Sequence, residues 1–84
     1  MTKIINKIST IFTTFDLSLA VTLITIGFQL IDLEKSNPRK VQFLFKDSIE
    51  LQKAVNDYWS DKHKVNPRVY FDNLKMLKSR LYTN

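Results

Sequence analysis

The chain has no cysteine, a single glycine, a single histidine and only two prolines in 84 residues. The lack of cysteine and the scarcity of glycine and histidine each remove a class of function. Without cysteine there is no disulfide framework, no thiol nucleophile and no thiolate metal site, as expected of a cytoplasmic protein. One glycine is too few for the usual glycine-rich phosphate loops. His63 lies in a lysine-rich turn and reads as an exposed loop residue, with no partners spaced for a metal site or a catalytic triad. Asp16 and Asp47 read as helix caps, and Asp32 with Glu34 falls near a hairpin tip, so no carboxylate spacing points to acid–base catalysis. The longest apolar run is about half of the roughly 20 residues a membrane span needs, and Gln29, Asp32 and Glu34 follow it closely. Lys3 and Lys7 are present at the N-terminus, but no continuous apolar stretch of a secretory signal follows them. The expectation is a protein that is not an enzyme, with no cofactor, no metal and no membrane partner.

What is there is organised around Asp16–Gly27. At 100° per residue, Leu17, Leu19, Ala20, Val21, Leu23, Ile24 and Ile26 cover nearly the whole circumference of a helix. Only Ser18, Thr22 and Thr25 form a narrow polar stripe, whose hydroxyls are expected to bond back to helix carbonyls or mark an exposed edge. Thr13 with Asp16 fits a capping box, and a start capped by Asp16 itself is the alternative. Gly27 is placed to close the helix in a left-handed conformation. A helix apolar on nearly all sides must be covered by other elements.

Around it the chain reads in order. Residues 1–9 are a flexible or partner-dependent segment and 10–14 a strand. After Gly27 the pattern becomes extended, with Phe28–Glu34 and Lys40–Lys46 as the arms of a β-hairpin around Asn37-Pro38. Val41, Phe43 and Phe45 alternate onto one face, and the tip residues Glu34, Lys35, Arg39 and Lys40 are expected to be solvated. Asp47 caps a helix that carries Leu51, Ala54, Val55 and Tyr58 on one face and runs to about Lys62. Trp59 reads either as the lid of the core between the last two helices or as an interface anchor. Asn66-Pro67 starts the last helix, whose apolar stripe is Tyr70, Leu74, Leu77 and Leu81. The expected fold is α+β over residues 10–84: a short N-terminal strand, a buried helix, an antiparallel β-hairpin and two C-terminal amphipathic helices. One free sheet edge is expected, open to the N-terminal segment or to a second copy of the chain.

The net charge of +5 is concentrated at one end. Residues 1–61 are balanced, whereas Lys62, Lys64, Arg68, Lys75, Lys78 and Arg80 face Asp72 alone in residues 62–84. On the last helix Arg68, Lys75 and Lys78 lie opposite the apolar stripe, with Phe71 and Tyr82 beside Lys78. Cations displace counterions from phosphates and exposed rings stack on bases, so Lys62, Lys64, Arg68, Lys75, Lys78 and Tyr82 are the candidate nucleic-acid-binding residues. The plainer alternative is a solvated basic face, with Phe71 and Tyr82 completing the core. No zinc-finger spacing, helix-turn-helix glycine turn or ribonucleoprotein aromatic motif is present.

Three blocks carry a resemblance: Thr13–Ala20 through Gly27-Phe28; Val41–Asp47; and Asp57-Tyr58-Trp59 with Val65-Asn66-Pro67 and Leu74–Tyr82. Together, over residues 10–82, they resemble an uncharacterised family of small bacterial and phage proteins, a domain of unknown function. The resemblance supports the element order and carries no activity and no site residues. It implies a bacterial or phage setting, in which small basic proteins serve as nucleic-acid accessories or inhibit a host machine. Two expectations follow: a small binding module that contacts nucleic-acid backbone through its basic C-terminal helix, or a protein-interaction module acting as a homodimer or an inhibitor of a host protein.

Overall fold

The computed structural model describes residues 10–83, as β1 (Ile11–Thr14), α1 (Leu17–Thr25), β2 (Leu30–Glu34), β3 (Gln42–Lys46), α2 (Ile49–Trp59) and α3 (Pro67–Tyr82). The expected N-terminal segment 1–9 lies outside the described residues. The fold is α+β, with one three-stranded antiparallel sheet and three helices.

β3 is the middle strand, in the order β1-β3-β2, and both neighbours run antiparallel to it. β1 and β2 are therefore parallel to each other, and α1 is the crossover between the two edges of the sheet. Phe43 and Phe45 point from the centre of the sheet into the core, where they meet Leu19, Ala20, Val21 and Leu23 of α1, Leu51 and Ala54 of α2, and Leu77 of α3. α1 packs against both α2 and α3. Enclosure by a sheet and two helices is why its sequence is apolar on nearly every side.

The register explains a spacing that simple alternation does not. Leu30 pairs with Phe45 and Leu33 with Phe43, so both leucines face the core although they are three residues apart. A bulge between Leu30 and Asp32 absorbs Ile31 as the extra residue. The opposite face of the sheet, with Ile11, Thr13, Asp32 and Lys46, is exposed. Among the described residues both β1 and β2 are edge strands of the sheet.

The caps follow local chemistry. The Asp16 carboxylate accepts the Leu19 N–H at 2.9 Å, and Thr14 Oγ1 accepts the Asp16 N–H at 3.0 Å, so Asp16 is the cap and the Thr13 capping box does not form. At the other end the Phe28 N–H reaches Leu23 O (2.9 Å) and the Gly27 N–H reaches Ile24 O (3.1 Å), with Gly27 at φ 116°. This is the paired arrangement that a left-handed residue makes at a helix C-terminus. α2 departs from expectation at both ends. The Asp47 carboxylate is taken up by the Ser48 N–H and Gln52 Nε2, both at 2.8 Å, and Ser48 is the cap, accepting the Leu51 N–H at 3.0 Å. The helix stops at Trp59, short of Lys62, because Asp61 adopts φ 57° and closes the same pair of bonds, Lys62 N–H to Asp57 O and Asp61 N–H to Tyr58 O. Asn66 caps α3, its side chain accepting from Arg68 and Val69, with Pro67 in the first turn as the sequence indicates.

Candidate nucleic-acid interface

α3 is held on the core by two kinds of contact. Leu77 is buried, and Tyr70, Leu74 and Leu81 pack against the core along the expected stripe. Beside them runs a polar seam to α1. The Tyr70 hydroxyl shares a hydrogen bond with Ser18 Oγ (3.0 Å), and Asn73 Nδ2 donates to Thr25 Oγ1 (3.1 Å). Thr22 and Thr25 also donate to the carbonyls of Ser18 and Val21, both at 2.8 Å. The polar stripe of α1 thus bonds back to its own helix and at the same time positions α3. The C-terminus of α3 is tied to the sheet side by Lys35, whose Nζ donates to Arg80 O (2.6 Å) and Thr83 O (2.7 Å). That corrects the reading of Lys35 as a solvated tip residue. A cation at a helix C-terminus is favoured by the free carbonyls there.

This anchoring fixes which face of α3 looks outward. Arg68, Lys75, Lys78 and Tyr82 are exposed on it, and Lys62 and Lys64 are exposed in the connection before its first turn. At 1.5 Å per residue, Arg68 and Tyr82 stand about 21 Å apart along the helix. Lys62 and Lys64 therefore adjoin the Arg68 end, and Tyr82 marks the far end. Phe71 is 54% exposed and Tyr82 82% exposed, which removes the alternative in which both complete the core. Lys75 Nζ lies 5.3 Å from the centre of the Phe71 ring, so cation and ring share one patch. Among the described residues the one ion pair is Lys53–Asp57 within α2, so none of the candidate cations is at ion-pair distance from a carboxylate, although Asp72 is exposed on the same helix as Arg68, Lys75 and Lys78.

Two other readings change. Trp59 is 62% exposed and meets Tyr58 edge to face, with ring centres 4.8 Å apart, so it is no lid over the core. The reason is the early stop of α2, which leaves Trp59 at the helix end. His63 is half-buried, not free in the loop, and its Nε2 lies 2.8 Å from Ala54 O, to which it donates. It pins the lysine-bearing connection to α2. Among the described residues no cluster of His, Cys, Asp or Glu is placed to hold a metal ion, and no helix is long and apolar enough to cross a membrane.

A groove of about 410 Å³ opens at the Tyr82 end of α3, bordered by Phe15 and Arg39. Its walls come from separate parts of the chain, and the one local sign of it is Phe15, an aromatic residue between β1 and the Asp16 cap. Lys40 Nζ sits 5.2 Å from the centre of the Phe15 ring at this site.

No curated protein and no solved structure matches the chain. A family model does, over residues 9–83, which takes in every element from β1 to α3. The chain belongs to the family described as a domain of unknown function, DUF5659.

Proposed function

We propose that the protein is a small non-enzymatic binding module that contacts nucleic-acid backbone through the outward face of α3 and the turn before it. The observation that carries the reading is the exposed set Arg68, Lys75 and Lys78, in no ion pair among the described residues, on the same face as two rings turned out of the core, Phe71 and Tyr82. Lysines that reach phosphates displace condensed counterions, and binding then weakens steeply as salt is raised. Each role is simple: Lys62, Lys64, Arg68, Lys75 and Lys78 meet phosphates, and Tyr82 offers a stacking surface. Base-edge recognition is not part of the proposal, so little sequence preference is expected.

The test is fluorescence anisotropy with labelled duplex DNA across a salt series. Replacing Lys75 and Lys78 together by alanine reduces the slope of log K against log salt by about 1.8 units if both touch phosphate. Binding that is insensitive to salt, or a double variant with an unchanged slope, refutes the reading.

A second reading is favoured by β1, which among the described residues is an edge strand with Ile11 open to solvent. An unpaired strand edge is a template for pairing with another chain, here a second copy forming a homodimer or a partner protein. A monomer in light scattering at high protein concentration removes the homodimer form.

A further inference from the structure

Backbone binding by α3 leaves the groove at its C-terminal end unused. We propose that this groove seats a base of a single-stranded nucleic acid whose phosphates run along α3; the proposal rests on the backbone reading above.

Its composition suits a base. Phe15 and Tyr82 supply aromatic walls, both more exposed than buried, and Val41, Phe43 and Leu81 an apolar floor. Arg39 stands at the rim with donors for base-edge oxygens and nitrogens or for the adjoining phosphate. Every charged group bordering the groove is a cation: Arg39 lines it, Lys40 lies over the Phe15 ring, and among the described residues no carboxylate lines it. A volume of about 410 Å³ admits a planar heterocycle with its sugar. Continuity decides the occupant. Tyr82 belongs both to the groove and to the outward face of α3, one turn beyond Lys78, so a strand tracking the lysines arrives at the groove with its bases free to turn in. A duplex keeps its bases stacked and paired, and gains nothing from the site. An uncharged apolar partner makes no use of the cations at the rim.

The experiment compares a short labelled single-stranded DNA, the same sequence as RNA, and the DNA duplex of equal length. Each is titrated with the wild-type protein, Phe15→Ala, Tyr82→Ala and Tyr82→Phe. The substituted side chains are largely in solvent, and circular dichroism verifies that each variant is folded. Wild type is expected to prefer the single strand, and the DNA and RNA arms show which sugar is favoured. Phe15→Ala weakens single-strand binding about tenfold, with duplex affinity and its salt slope unchanged, and Tyr82→Ala weakens single-strand binding about as much, because in each a stacked ring is lost. Tyr82→Phe keeps the ring and binds as wild type. Equal affinity of wild type for single strand and duplex, or alanine variants that bind the single strand as wild type does, overturns the groove proposal and leaves the backbone reading standing. Failure of wild type to bind any of the three probes at low salt overturns both.

Discussion

α1 and α3 divide the work of the molecule between them. α1 is enclosed by the sheet, α2 and α3, and even its hydroxyls are spent on its own carbonyls and on α3. α3 touches the core with one stripe and turns its cations and two aromatic rings outward. Burial explains all of α1 but Ser18, whose hydroxyl is bonded to Tyr70 of α3. It explains only a third or so of the circumference of α3, and the remainder has no structural employment. Residues that stability does not account for are where a binding function is to be sought.

That contrast can be broken most forcefully from the α1 side. Leu23→Ala removes a fully buried side chain and is expected to cost about 2–5 kcal/mol in urea unfolding, a large share of the stability of so small a domain. Its effect on nucleic-acid affinity should be no more than the loss of folded protein. The Lys75→Ala/Lys78→Ala pair should do the reverse, remaining within about 0.5 kcal/mol of wild type in stability while losing salt-dependent affinity. A double variant that unfolds would mean that the outward face is structural after all.

The two helix ends built on the same pair of bonds provide a finer comparison. Gly27 holds φ 116° with no atom within 4 Å of where a Cβ would lie, so the cost of a side chain there is one of backbone conformation alone. Gly27→Val is expected to destabilise by about 1–2 kcal/mol. Asp61 holds φ 57° at the corresponding position of α2, and Asp61→Gly should stabilise by up to about 1 kcal/mol. Thermal unfolding of both variants checks the pair; the same sign for both would contradict it.

Much of the fold was legible because it is written in local signals. The all-round apolar run of α1, its Asp16 and Gly27 ends, the alternation of Phe43 and Phe45, and Asn66-Pro67 at the start of α3 each have a short-range physical cause. Asp47 is not the cap because its carboxylate accepts from Ser48 and Gln52 instead. The other errors have a common cause. Lys35 found the end of α3 and His63 found α2 through contacts that no spacing announces. The Ile31 bulge is visible only once Leu30 and Leu33 are both seen to pair with core-facing phenylalanines. Of the candidate site, the charges were legible and the orientation was not. The helical wheel placed Phe71 and Tyr82 beside the lysines, but their exposure depends on how α3 is rotated against α1, which the Ser18–Tyr70 and Asn73–Thr25 bonds fix. The groove was invisible, since Phe15, Arg39 and Tyr82 meet only in the folded chain.

The most direct measurement is a titration of isotope-labelled protein with a short DNA duplex, followed through its backbone amide NMR signals at low salt. Shifts are expected to gather on Lys62–Lys64 and on the outward positions of α3 from Arg68 to Tyr82, with α1 and both sheet edges unmoved. Shifts gathered on β1 or on the open face of the sheet, or no shifts at all, would contradict the proposed function.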